Sequence, residues 1–273
     1  MKQLISIINN MSATLGGLIK DYRLQKNIAQ LEVAYKIGWK DATILSRIEQ
    51  GIIRDPSRSV IDKISEALTL EDEDKNYLLL IGGYQPTAEE VRIIREKTEP
   101  IISQYRFPAF VQDFSWRIIH ENEPAKHLEY IDDEESKWVD EELPNALEFN
   151  FRKDYFEEKF IDSENKQEFL TYITAQYLYE QRGWVNRKWY KDSMKNLIKN
   201  PDFKPIYKKA LKIHPDKLIL DYTTQIVKHR RKPELKLSFF IFNVPLFLDR
   251  RLFIEYQIPA DADTYLYYEN NSA

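Results

Sequence analysis

The chain of 273 residues has no cysteine, which removes disulfides, thiolate zinc sites and cysteine nucleophiles, and suits a reducing cytoplasm. Glycine is scarce, at 7 residues, so there is little material for loops that cradle phosphate. The spacings GxGxxG, GxxxxGKS/T and GxSxG are all missing. No run approaches the roughly 18 apolar residues of a bilayer span; the nearest, residues 235–248, is interrupted by Lys236, Asn243 and Pro245. Residues 1–10 hold one basic residue and an apolar run too short for a secretory signal, so neither export nor a membrane partner is expected. Charge of one sign is lacking too: 40 Lys and Arg against 44 Asp and Glu leave a net charge of −4, so any nucleic-acid contact must come from a local patch. The four histidines (120, 127, 214 and 229) show no HExxH spacing, and the acidic runs 132–135 and 140–142 lack the spacing of a calcium loop. The expectation is a protein that is not an enzyme and holds no metal.

What is present is a globular balance, 43% hydrophobic and 31% charged, over a length that suits two domains. The surplus is aromatic: Tyr 17, Phe 14 and Trp 5. Five of them (Tyr22, Tyr35, Trp39, Tyr77 and Tyr84) fall in the first hundred residues, so the rest of the chain carries the remainder. Two regions with different work are expected.

Residues 14–81 read as five short helices. Leu15, Leu18, Ile19, Tyr22 and Leu24 make one apolar stripe; Leu31, Val33, Ala34 and Ile37 make a second that stops at Gly38. Ile44, Leu45 and Ile48 mark a third helix ending at Gly51, where a glycine can take positive φ. Ser57 caps a fourth helix carrying Val60, Ile61, Ile64 and Leu68. A fifth opens on the acidic run 71–74, which suits the positive end of a helix dipole. Gly82 and Gly83 break the pattern, and Thr87 with Glu90 forms a capping box for a connecting helix.

The run 30–38 followed by 43–51 resembles the helix-turn-helix of the Xre/phage-repressor family, over about residues 14–70. Ala34 is small enough for two helices to cross closely, Gly38 permits the turn, and Leu45 and Ile48 return to the core. Lys40, Asp41, Ala42, Thr43, Ser46 and Arg47 are left facing outward where base edges would lie. Gln30, Arg47 and Arg54 are further candidates for phosphate or base contacts. The resemblance implies that Arg23 and Glu49 form an internal ion pair with a structural role. Ala29 stands where a Ser or Thr cap is usual, a loss of about 1 kcal/mol, and the turn 38–41 is one residue longer than the family's, with Asp41 as the new cap. Up to Leu68, ten Lys and Arg face seven Asp and Glu, a modest positive balance. A monomer should therefore bind weakly and in a salt-sensitive way, and a homodimer on paired half-sites is expected. The bland alternative is a helix-turn-helix used only for protein contacts.

Beyond residue 105, residues 110–113 and 117–120 read as two strands around a Phe114–Ser115 turn. Helical patterns follow at 166–181, 186–199 and 203–211, and strands return at 235–242, 252–258 and 265–268; residues 218–228 are ambiguous. Pro108, Ala109, Val111, Asp113, Trp116, Ile118, Asn122 and Ala125, with the tail from Leu235 through Asp261, resemble the MmyB-like ligand-binding domain, a PAS-like fold often joined to an Xre-type domain. The middle, residues 131–232, matches only loosely. The resemblance implies a sheet whose concave face, covered by helices, can enclose a small molecule. Residues 239–242, apolar on both faces, suggest a strand covered on each side. Candidate ligand-binding residues are Phe110, Trp116, Tyr172, Tyr177, Phe239, Phe242, Ile254 and Tyr256, suiting an apolar small molecule such as a fatty acid. The alternative is that these rings only fill a core.

Charge is polarised here: residues 121–168 hold 17 acidic and 6 basic side chains, residues 182–236 hold 16 basic and 5 acidic. Solvated helix faces explain this; alternatively, some of Arg187, Lys188, Lys191, Arg230 and Arg231 hold an anionic head group or a DNA backbone. The expected architecture is multi-domain. Residues 1–82 form an all-α five-helix helix-turn-helix domain, 83–104 a linker and connecting helix, and 105–273 an α+β PAS-like domain. The expected function is a sequence-specific regulator that binds a double-stranded DNA operator and senses a small-molecule ligand. The rival is a peptide-responsive or ligand-free dimeric regulator whose second half, a helical-repeat array in one form, serves only protein interaction.

Overall fold

The computed structural model describes residues 14–128, 131, 133–151, 163–218, 225–229, 232–247 and 249–271. The chain divides into two compact units, one of Met1–Gln85 with Leu246–Arg251, the other of Pro86–Pro245 with Leu252–Ala273.

The first unit is helical: α1 (Leu15–Gln25), α2 (Gln30–Ile37), α3 (Thr43–Glu49), α4 (Arg58–Ala67) and α5 (Asp72–Ile81). Local chemistry sets their starts. Thr14 Oγ1 accepts from Gly17 N at 3.2 Å, and Ser57 Oγ accepts from Val60 N at 3.3 Å. Asp72, Glu73 and Asp74 occupy the first turn of α5, where the dipole favours them. Gly38 (φ 88°) and Gly51 (φ 71°) supply the left-handed turns that end α2 and follow α3. The core is drawn from every helix and includes Leu18, Ile19, Val33, Leu45, Ile48, Ile61, Ile64 and Leu78. Three stripes are narrower than expected. Leu24 and Leu31 lie on the outer face of their helices and Ile44 is also exposed, because the buried pairs Leu18–Ile19 and Val33–Ala34 set the helical phase.

The second unit opens with α6 (Ala88–Ile102), whose capping box is complete: Glu90 N donates to Thr87 Oγ1 and Thr87 N to Glu90 Oε2. Strands β1 (Ala109–Asp113) and β2 (Ile118–Glu121) follow, then α7 (Glu123–Leu128), α8 (Asp133–Glu142), α9 (Ala146–Asn150), α10 (Ser163–Glu180), α11 (Lys188–Lys199) and α12 (Phe203–Ala210). The chain returns to the sheet with β3 (Gln225–His229), β4 (Lys232–Pro245) and β5 (Leu252–Pro259) and ends in α13 (Ala262–Asn271). The five strands form one antiparallel sheet in the order β2-β1-β5-β4-β3. This sheet is incompatible with an array of helical repeats. The unit is α+β, and its largest cluster joins Phe110 and Ile118 of the sheet to Phe149, Phe169, Ile173 and Tyr177 of the helices. Asn122 ties α6 to this framework. Its Nδ2 donates to the carbonyls of Ile102, Tyr105 and Phe107, and its Oδ1 accepts from Ala109 N and Ala125 N.

Two expectations are corrected. Residues 265–268 are helical, within α13, because Asp261 caps that helix by accepting from Thr264 N at 2.8 Å and because Tyr268 is buried while Tyr265 and Leu266 are exposed, a helical spacing. Residues 239–242 are not covered on both sides: Phe239 is fully buried, but Phe240 and Phe242 are exposed, Phe242 by 53%. Of the ambiguous stretch 218–228, residues 225–229 are strand, and residues 219–224 lie outside the described residues.

Glu121, at the end of β2, is 3% exposed, and burial pushes its carboxyl up to about 7. Asp140 adds to the rise, while Lys126, Ser136 and Arg95 oppose it. The folded state therefore holds a proton that the unfolded chain releases at its ordinary value of 4.5, and stability falls as pH rises from there through about 7. Glu121→Gln should remove this dependence, raising stability by about 1–3 kcal/mol at pH 8 and by much less at pH 5. Thermal unfolding followed from pH 5 to pH 8 checks it.

Candidate nucleic-acid interface and core cavity

The helix-turn-helix is locked from inside by one carboxylate. Glu49, at the end of α3, accepts from Arg23 Nε at 2.7 Å and Arg23 Nη2 at 2.9 Å, both from α1, and from Gln30 Nε2 of α2 at 2.7 Å. Arg23 Nη1 donates to Ile28 O at 2.9 Å, so the guanidinium also pins the loop between α1 and α2. The ion pair is buried, with side-chain exposures of 9% and 2%, and its fork geometry fixes three helices relative to one another. The approach is close: a Cβ on Gly16 would meet Ile48 O at 2.1 Å, so only glycine lets α1 start against the end of α3.

This lock decides what the outer face shows. Lys40, Asp41, Thr43, Arg47 and Arg54 are exposed, and Ala42 and Ser46 are half-exposed, gathered on α3 and the turns beside it. Ala29 caps α2 without a side-chain bond, as expected. Asp41 serves α3 from one residue before the cap: its Oδ1 accepts from Thr43 N at 2.8 Å, and those Thr43 bonds hold its carboxyl below the usual range. Asp41 thus shapes the turn. Gln30 is only half-exposed, and its amide nitrogen is engaged with Glu49. Sequence reasoning missed Gln50, exposed one turn beyond Ser46, whose Nε2 donates to Ser46 Oγ at 2.9 Å; the i,i+4 spacing is the signal that could have found it.

The second unit holds a half-open cavity of about 180 Å³ between the inner face of the sheet and helices α9 and α10. Phe110, Trp116 and Tyr172 of the candidate residues line it, with Ile118, Phe149, Phe169 and Ile173. Trp116 is aimed by a strained turn. Its φ is 65°, an unfavourable region for a side chain of this size, and the surroundings over-determine it. Asp113, fully buried, accepts at Oδ1 from Ser115 N, Ser115 Oγ and Arg117 N, and at Oδ2 from Arg117 Nε at 2.7 Å. Arg117 Nη2 goes on to Pro86 O at 3.0 Å, and Ala146 N donates to Trp116 O at 2.6 Å.

The other ligand candidates do not line this cavity. Tyr177 is buried beside Trp116, with ring centroids 5.3 Å apart. Phe239 packs in a separate cluster with Leu128, Leu237 and Tyr268. Phe242 and Tyr256 are paired across β4 and β5, and Ile254 pairs with Val244, all on the opposite sheet face by alternation. Of the basic candidates, Lys188 pairs with Asp192 along α11, Arg187 and Lys191 lie at the start of that helix, and Arg230 and Arg231 lie outside the described residues.

Gly16→Ala should lower stability by about 1–3 kcal/mol through overpacking and weaken DNA binding by tilting α3. Melting and DNA titration of the variant check both effects.

Among the described residues no helix is long and apolar enough to cross a membrane, and no cluster of His, Asp and Glu could hold a metal ion. No curated protein matches the chain. Residues 19–74 match a helix-turn-helix family model (HTH_3), and this match, laid over five helices and the Arg23–Glu49 lock, supports an Xre-type transcriptional regulator that binds double-stranded DNA.

Proposed function

We propose that the protein is a sequence-specific regulator whose second unit is a PAS-like, MmyB-type sensory domain for a small, largely apolar molecule. The cavity carries this reading: it lies between an antiparallel sheet and covering helices, where such a fold would hold a ligand, and it is lined by the aromatic side chains in which the chain is rich. Occupancy would shift operator affinity through differential binding to two states of the protein. The regulator works as a homodimer, because one helix-turn-helix contacts few base pairs.

A second reading has its own observation. Phe240, Phe242, Val244 and Ile258 form an exposed apolar strip on one face of β4 and β5, which suits a half that serves protein interaction without any ligand. Mass spectrometry of the purified protein, native and denatured, separates the two: a small molecule released on denaturation supports sensing, and a reproducibly empty protein supports the second reading.

The DNA contact is tested on duplexes selected from a random pool. Arg47→Ala should weaken binding tenfold or more. A phosphate contact also lowers the slope of log K against log salt by about one, and a base contact leaves that slope unchanged. Unaltered affinity would remove Arg47 from the interface.

A further inference from the structure

The polar part of the cavity's sheet wall is made of carboxamides round one carboxylate. By strand pairing, Asn243 of β4 lies opposite Glu255 of β5, with Gln112 of β1 and Gln257 of β5 flanking it. The Glu255 carboxylate accepts from Gln112 Nε2 at 3.1 Å and from Gln257 Nε2 at 3.0 Å. It has further interactions within the chain, so it is a held part of the wall. The helical wall adds the amides of Asn150 on α9 and Gln176 on α10.

Much of what these amides can offer is unused. Asn150 Nδ2 donates to Ala146 O at 2.7 Å and Gln176 Nε2 to Glu180 Oε1 at 2.9 Å, which spends one N–H of each amide and leaves the oxygen. Asn243 is exposed, and its side chain makes no hydrogen bond among the described residues. Gln257 is 2% exposed, and its Oε1 has no partner there either, a buried acceptor that costs free energy until a donor reaches it. The ring donors, by contrast, are spent on the chain itself: Trp116 Nε1 on Glu180 Oε2 at 2.8 Å, and Tyr172 Oη on Leu218 O at 2.7 Å. Among the described residues no Lys, Arg or His lines the cavity, so an anionic guest meets no counter-charge. The one carboxylate is already engaged, so a cationic guest finds no open anion. At the roughly 0.74 packing density of protein interiors, about 180 Å³ accepts about ten non-hydrogen atoms.

We infer that the ligand is an uncharged, flat aromatic molecule with an amide-like edge, a donor beside an acceptor. A carboxamide meets such an edge with two parallel hydrogen bonds, as Asn and Gln do on a nucleobase. Asn243 and Gln176, on opposite walls, are placed to receive it, and its ring packs among Phe110, Phe149, Phe169 and Phe253. A fatty acid fits less well, because its carboxylate would enter a cavity with no cation to receive it. This inference rests on the sensory reading of the second unit, and its test is built to fail separately.

The test titrates the full-length protein, followed by ligand-detected NMR, with three probes of one shape and size: benzamide, benzoate and benzamidine, which are neutral, anionic and cationic. Benzamide should bind at least tenfold more tightly than either charged probe. Asn243→Leu and Gln176→Met, which keep the volume and remove the amide, should each reduce that lead by threefold or more. Circular dichroism confirms that each variant is folded. If either charged probe binds as well as benzamide, or both variants leave benzamide affinity unchanged, the neutral amide-edged ligand is wrong while the sensory reading stands. If none of the three binds, the molecule released on denaturation decides. A neutral aromatic with such an edge supports the inference, a charged or wholly apolar one overturns it alone, and an empty protein overturns both readings.

Discussion

A carboxylate taken out of water costs several kcal/mol unless donors surround it, and each unit of this protein is organised round one such group. In the first, Glu49 gathers Arg23 and Gln30, so three helices meet at one pair of oxygens. In the second, Asp113 gathers two backbone amides, a hydroxyl and a guanidinium from the four residues after it. Apolar packing alone would tolerate small slides of one helix over another. A buried ion with fixed donor positions does not: in the first unit it fixes the outer face of α3, and in the second it fixes the turn that carries Trp116.

The two surfaces differ in kind. The outer side of α3 is polar and open, and its form depends on the turn that Gly38 and Asp41 make. The cavity is concave and lined by aromatic and polar side chains together, and one wall depends on Trp116 being kept at a φ of 65°. Strain of that sort persists only where neighbours hold it. Here they are Asp113, Ala146 and, through Arg117, the carbonyl of Pro86.

Much of this was legible from residue types. Ser57, Thr87 with Glu90, Gly38 and Gly51 acted locally, and local signals survive folding. Asp113, Trp116 and Asn122 were recognisable as a set by resemblance, and they turn out to be the hub, the strained residue and the tie of one hairpin. What stayed hidden depended on register and phase. Leu31 reads as a core residue until Val33 and Ala34 fix the rotation of α2. Phe242, Ile254 and Tyr256 look like cavity residues until pairing sends them to the other face, and the same alternation brings in Glu255 and Gln257, which composition gave no reason to notice. Tyr265 and Tyr268 show strand-like spacing too short to tell from a helix turn.

The division of the chain carries one more consequence. The first unit is closed by Leu246–Arg251, which joins β4 to β5 of the second, and within it Arg251 is 1% exposed and donates to Asn76 Oδ1 at 3.2 Å. On a ribosome the helical bundle can gather its apolar core as soon as residues 14–85 emerge. Its last buried arginine arrives only after most of the second unit has been synthesised. The DNA-reading half is thus made first and completed late, and a fragment cut at residue 85 is a different object from the half that works in the whole chain.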